Sequence, residues 1–194
     1  MSHIYQNESF QRILTITENL IQEKGCHKTT LKDIIESSGM SKGAIYHYVK
    51  SKNELLGHVL KAQLEAVNQQ FQQKVQQQTS QELGAPLEAS VDSFILDKDS
   101  VSNKIFIYLL GYRDDPKIAQ LLQELHDTFL NQSIEWIQTG IDYGVIPSNL
   151  DAKAVSEKFL TLGYGLRIYS SASGEQPPFS KEDIYQFMFQ MLKK

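Results

Sequence analysis

Cysteine is almost absent from the sequence: Cys26 is the only one in 194 residues, so no disulfide can form within the chain. A protein without disulfides suits a reducing compartment, and we expect it in the cytoplasm. No apolar run reaches the length of about eighteen residues that a membrane-spanning helix needs, so we expect no membrane association. The first residues also lack the basic and then apolar order of a signal peptide.

The sequence lacks the motifs of the common enzyme classes. It contains no HExxH, no Walker-type glycine-rich loop and no GxSxG nucleophile elbow. The five histidines are scattered, and together with one cysteine they do not have the spacing of a zinc site. We therefore expect no enzyme activity, no cofactor and no metal.

Positive charge is scarce over the whole chain, whose net charge is −4, but it is concentrated near the start. Between Lys24 and Lys52 there are six lysines and two carboxylates, which gives a local balance of +4. Residues 61–194 have a balance of −5. This asymmetry predicts that the first part of the chain meets an anion, although a solvated charged surface would have the same composition.

Strand-like alternation of useful length is missing as well, and apolar residues recur instead with helical spacing. We predict an all-α fold with about nine helices. Three short helices would occupy residues 9–49, and a long fourth helix would run from Lys52 to about Gln78. Five more are predicted after them. The apolar stripe of the first of these five is Leu87, Val91, Phe94 and Ile95.

Residues 30–49 have the layout of a helix-turn-helix, two short helices joined by the small-residue turn SSGMS. On the second helix, Ile45, Tyr48 and Val49 would face inward. The residues turned outward would then be Lys42, Gly43, Tyr46, His47 and Lys50. Such a helix enters the major groove of DNA, where lysines neutralise phosphates, hydroxyl and imidazole groups hydrogen-bond them, and glycine permits close approach.

The stretch TTLKDIIESSGMSKGAIYHYVKSKNEL, which starts at Thr29, resembles the N-terminal module of the TetR/AcrR-type transcriptional regulators. In that family a threonine-led helix, a small-residue turn, the pattern SKGxxYxYxxxKxxL and a long fourth helix recur in this order. The resemblance is specific over about residues 9–60. Helix starts also favour phosphate at the two threonines and at Lys52. The predicted DNA contacts are Thr29, Thr30, Ser41, Lys42, Gly43, Ala44, Tyr46, His47, Lys50 and Lys52.

One recognition helix reads too little sequence by itself, so we expect a homodimer on a palindromic operator. The resemblance places the dimer contact on the last two helices. The residues predicted there are Val155, Phe159, Leu162, Gly163, Leu166, Phe187, Met188 and Met191. The predicted domains are a DNA-binding domain over residues 1–50 and a ligand-binding and dimerisation domain over 51–194, with a connector helix at 51–78.

The resemblance also implies a small-molecule effector in the second domain. The candidate pocket residues are Phe94, Ile105, Tyr108, Tyr112, Phe129, Trp136, Phe159 and Tyr164. They favour a hydrophobic or aromatic effector, acids such as Asp92 leave a cationic one open, and each residue alone could be plain core. The predicted function is that of a repressor. Binding of the effector would swing the fourth helix and thereby release the protein from DNA. The alternative is a helical protein–protein adaptor that binds no DNA.

Overall fold

The structure is a computed structural model that describes residues 5, 7–77 and 100–193. Over these residues it contains eight helices and no strand, which confirms the all-α prediction. The helix predicted around residues 87–95 lies outside the described residues. The eight helices are α1 (Glu8–Lys28), α2 (Leu31–Ser38), α3 (Lys42–Tyr48), α4 (Lys52–Gln77), α5 (Val101–Leu110), α6 (Pro116–Asp142), α7 (Ala152–Ser173) and α8 (Lys181–Leu192).

Side-chain caps fix where the short helices begin. Thr30 and Asp33 form a reciprocal capping box at the start of α2, as their spacing predicts. Ser41 caps α3 by accepting a hydrogen bond from the Ala44 N–H at 3.2 Å. Ser180 forms a second capping box with Asp183 at the start of α8. The sequence therefore determines these boundaries locally, before any tertiary contact is made.

Gly25, a residue type that often ends a helix, does not end α1. Gly25 has non-helical dihedral angles, φ 78° and ψ 165°, and it kinks the helix, which continues for one more turn to Lys28. Glycine tolerates a positive φ that costs other residues energy. The Thr29 N–H and hydroxyl both donate to the Gly25 carbonyl, at 3.2 Å and 2.9 Å, so this last turn is held in place.

The described residues form two compact units, and the first lies within residues 1–63 and 99–125. It contains α1 to α3, the first part of α4, α5 and the first part of α6. A Cβ on Gly57 would lie 2.6 Å from Leu121 Cδ1, so α4 and α6 approach here more closely than a side chain allows. The fully buried side chains of this unit are Phe10, Ile13, Ile21, Ile34, Ile45, Val49, Leu55, Leu56, Val59, Ile105 and Leu109.

The second unit lies within residues 64–98 and 126–194, and it contains α7, α8 and the remaining parts of α4 and α6. Trp136 of α6 stacks on Phe71 of α4 with ring centroids 4.5 Å apart, and its indole N–H donates to Asn68 Oδ1 at 2.8 Å. The buried apolar cluster of this unit is Ile137, Ile146, Val155, Phe159, Leu166, Ile184, Met188 and Leu192. No helix among the described residues is both long and apolar enough to cross a membrane.

Candidate nucleic-acid interface

The helix α3 presents polar and basic groups on one side and apolar groups on the other. Ile45 is completely buried, and Val49, the C-cap of α3, is almost completely buried. All five residues predicted to turn outward are exposed, and Tyr46 is 44% exposed. These five are Lys42, Gly43, Tyr46, His47 and Lys50. The outward surface of α3 therefore has the composition that phosphate and base contacts require.

Two contacts organise the start of α3. The Lys42 ammonium lies 5.6 Å from the centroid of the Tyr46 ring, a cation–π distance that holds both side chains on the same surface. Among the residues that the structure describes, none requires glycine at position 43, because an added Cβ there would meet only Ser41 Oγ at 3.9 Å. A methyl group at this position would therefore project outward, where an approaching duplex would meet it.

The carboxylate near the start of α2, that of Asp33, is paired with groups of the protein itself. Lys24 Nζ lies 2.9 Å from Asp33 Oδ2, and the Thr30 hydroxyl and N–H both donate to the same oxygen at 2.7 Å. The hydrogen bond from Lys24 and then those from Thr30 lower the pKa of the Asp33 carboxyl to about 2. The carboxylate therefore stays ionised and paired at neutral pH, while Thr30 remains on the surface.

Two of the predicted DNA contacts are engaged inside the chain. Thr29 is completely buried, and its hydroxyl donates to the Gly25 carbonyl at 2.9 Å. Lys52 Nζ donates to the Cys26 carbonyl at 2.9 Å and lies 4.8 Å from the centroid of the Tyr108 ring. Sequence reasoning placed both at helix starts, but it had no signal that α1 and α5 would supply these partners.

A comparison with known proteins identifies this module. Residues 13–59 match the family model described as the tetR family of bacterial regulatory proteins. The helix-turn-helix of this chain is that of the TetR family. The chain is therefore a transcriptional regulator with a DNA-binding helix-turn-helix, as the resemblance implied.

The chain is also similar to known regulators and to solved structures. The HTH-type transcriptional regulator YfiR of Bacillus subtilis is 24% identical over 162 residues, which cover 79% of this chain and 76% of YfiR. The HTH-type transcriptional repressor KstR2 of Mycolicibacterium smegmatis is 27% identical over 105 residues, which cover 54% of this chain and 48% of KstR2. The crystal structure of FadR from Bacillus subtilis in complex with stearoyl-CoA has a TM-score of 0.66 at 17% identity, covers 94% of this chain and 97% of FadR, and shows a shared fold.

The residues predicted to line an effector pocket fall in different places. Ile105 is buried in the first unit, where Tyr108 of α5 and Tyr112, which follows the end of α5, have ring centroids 4.8 Å apart. Tyr108 also packs edge-on against His27 at 4.8 Å, so these tyrosines contact the end of α1. Phe94 lies outside the described residues.

The other pocket candidates belong to the second unit. Phe159 is buried in its apolar cluster, Trp136 stacks on Phe71, and Phe129 is half-buried. The Tyr164 hydroxyl lies 3.1 Å from His126 Nδ1, and burial raises the pKa of this tyrosine above its ordinary value. Tyr164 therefore stays neutral near pH 7, next to polar and charged side chains of its own unit.

The residues predicted for the dimer contact divide into a buried and an exposed set. Val155, Phe159, Leu166 and Met188 are buried in the apolar cluster of their own chain, with Leu162 and Met191 packed against it and Gly163 also buried. Phe187 is 44% exposed. Ile168 and Tyr169 of α7, which the sequence prediction did not include, are 46% and 41% exposed.

Proposed function

We propose that the protein is a ligand-responsive repressor that binds a palindromic operator as a homodimer. The observation that carries this proposal is the outward surface of α3, where Lys42 and Tyr46 lie together beside exposed His47 and Lys50. The name of the relative KstR2 supports repression. A protein that occupies promoter DNA acts where the chromosome is, so we place it in the cytoplasm. Binding to the upstream DNA of its own gene tests this function.

The exposed residues take different roles in the proposed DNA complex. Lys42 belongs to the first turn of α3, which faces base edges in a helix-turn-helix, so we assign base reading to it. Tyr46, His47 and Lys50 would contact phosphates, which position the protein without reading sequence. Thr30 and Ser41 would add hydroxyl contacts from the helix caps, and Ala44, which lacks a hydroxyl, and Gly43 would allow close approach. Thr29 and Lys52 would support these residues from inside the chain, since their polar groups already have partners.

A two-fold dimer explains why the last two helices expose large apolar groups. Ile168 and Tyr169 of α7 and Phe187 of α8 are each more than two-fifths exposed. Such groups mark protein–protein contact surfaces when they cluster. Family resemblance puts the dimer contact on these two helices, so we assign the exposed residues to the partner and the buried stripe to the chain's own core.

Replacing Phe187 with glutamate should convert the dimer into a monomer, because each copy would bury a carboxylate without a partner. Sedimentation of the native protein should give about twice the chain mass of 22.1 kDa, and the variant should give the single mass. Tyr143→Glu is the matched control, since Tyr143 is 57% exposed just after the end of α6 and belongs to neither of the two helices assigned to the contact. A native protein that is monomeric at micromolar concentration would contradict the assignment.

We further propose that an effector with an apolar or aromatic body acts through α5. The FadR structure was solved with stearoyl-CoA, which is a ligand with a long apolar chain. In the first unit, the Tyr108 ring of α5 contacts both the Lys52 ammonium at the start of α4 and the His27 ring at the end of α1. A displacement of α5 would therefore move both helices that adjoin the helix-turn-helix, and α4 would swing the recognition helices out of register.

Replacing Tyr108 with leucine should uncouple effector binding from DNA release, because leucine offers no aromatic surface to Lys52 or His27. A compound from a hydrophobic panel that raises the melting temperature should lower the DNA affinity of the native protein about 5- to 150-fold. In Tyr108→Leu the same compound should still raise the melting temperature but change DNA affinity much less. Tyr108→Phe retains the ring and should behave as the native protein. Equal DNA release in the leucine variant would refute this route.

A further inference from the structure

Residues that precede α1 make contacts with three different helices of the first unit. Asn7 Oδ1 caps α1 by accepting from the Phe10 N–H at 3.1 Å, and it also accepts from the Tyr48 hydroxyl of α3 at 3.1 Å. The Tyr5 hydroxyl forms a 2.8 Å hydrogen bond with His58 Nδ1 of α4. Gln11 Nε2 donates to the Tyr5 carbonyl at 2.6 Å. One short segment is thus fastened to α1, α3 and α4.

Phe10 forms the apolar centre of these contacts. Its completely buried ring stacks on Tyr48 with centroids 5.0 Å apart, meets His58 edge-on at 5.3 Å and lies 5.9 Å from Tyr5. Burial raises the pKa of Tyr5 to about 12. Burial also lowers the pKa of His58, although the charge of Glu54 opposes this shift. Both groups are therefore neutral near pH 7, and their hydrogen bond joins uncharged partners.

The recognition helix needs support of this kind. The helix α3 has only seven residues, far fewer than the twelve or so at which an isolated helix becomes even marginally stable. The placement of α3 therefore depends on tertiary contacts. At the C-terminal end of α3, the Tyr48 hydroxyl provides a polar contact by donating to Asn7 Oδ1. Tyr46 and His47, which precede Tyr48 directly, belong to the exposed surface of the same helix.

We infer that Tyr5 and Asn7 form a clamp that positions the recognition helix against the connector helix α4. Asn7 and Tyr48 are positioning residues, since they orient α3 and touch no DNA. The clamp rests on the proposed function in so far as the positioned helix reads DNA. Asn7 does more than cap a helix, because the same oxygen that caps the start of α1 also accepts the hydrogen bond from Tyr48 of α3.

The clamp is tested with variants that separate the cap from the contact to α3. Tyr48→Phe removes only the hydroxyl, and it leaves the ring on Phe10 and the cap of α1 in place. Asn7→Ala removes both functions, whereas Asn7→Asp keeps an oxygen for each. Asp151→Ala is the matched control, because it removes an equivalent cap from α7, where Asp151 accepts from the Ala154 N–H at 3.0 Å.

Hydrogen exchange of residues 42–49 is measured without DNA, and operator affinity by fluorescence anisotropy. Tyr48→Phe and Asn7→Ala should accelerate exchange in α3 and weaken operator binding about three- to tenfold, as expected for one lost hydrogen bond. Asn7→Asp and Asp151→Ala should match the native protein in both measurements. Unchanged exchange and affinity in Tyr48→Phe would overturn the clamp. A native protein that binds no DNA would refute the proposed function, and the exchange measurement would still decide on the clamp.

Discussion

Replacing Lys42 with alanine should lower operator affinity about 5- to 150-fold and relax the preference for the base pair that this residue reads. A good contact between a side chain and a base edge contributes about 1–3 kcal/mol of discrimination. Lys42 is exposed in the first turn of α3, and the Tyr46 ring lies 5.6 Å from its ammonium, so its direction is restricted before DNA arrives. The preference is measured by selection from a randomised DNA library.

Two further variants make the Lys42 result interpretable. Tyr46→Ala should weaken binding to all sequences alike and flatten the salt dependence, because a phosphate contact carries no sequence information. Lys32→Ala removes an exposed lysine of α2 that pairs with Glu36 at 3.7 Å, and it should leave the base preference unchanged. If Lys42→Ala selects the same sequences with the same affinity as the native protein, α3 does not lie on DNA as proposed.

Replacing Phe10 with alanine should destabilise the first unit by about 3–5 kcal/mol, a typical cost for emptying a buried phenylalanine site. The Phe10 ring is completely buried, and it contacts Tyr5, Tyr48 and His58. The loss is a large part of the about 5–15 kcal/mol that stabilises a typical domain. Urea unfolding followed by circular dichroism should therefore show a much lower midpoint.

Tryptophan fluorescence reports separately on the second unit when Phe10→Ala is unfolded. Trp136, the only tryptophan in the sequence, belongs to the second unit, so its fluorescence follows that unit. Tyr143→Ala at an exposed position should change the free energy of unfolding by less than about 0.5 kcal/mol. A loss below about 1 kcal/mol in Phe10→Ala would show that the ring is not the centre of this packing.

Local signals made the helices and the surface of α3 predictable. Thr30, Ser41 and Ser180 each mark the start of a helix, because each side chain accepts a hydrogen bond from the backbone N–H three residues further on. This spacing of residue types can be read directly from a sequence. The exposure of Tyr46 and His47 follows from the burial of Ile45 by helical geometry alone. These features need no knowledge of distant contacts.

Contacts between distant residues explain what the sequence did not reveal. The Lys52 ammonium binds the Cys26 carbonyl, which is 26 positions away, and Asn7 holds Tyr48 over 41 positions. The apolar stripe of α7 has the same periodicity whether a second copy or the chain's own α8 covers it, so Val155 and Phe159 could not be assigned from spacing. The location of an effector pocket depends on such contacts as well, and it stays a prediction.

The central claim is that α3 binds specific DNA, and a salt series of binding to the gene's own upstream region tests it most directly. The native protein is titrated by fluorescence anisotropy against upstream fragments and against scrambled fragments of the same composition. We predict that one upstream fragment binds at least about a thousandfold more tightly than its scrambled copy at physiological salt, with an affinity that falls as salt rises. Equal affinity for both, or no binding at low salt, would contradict the account and favour a helical adaptor.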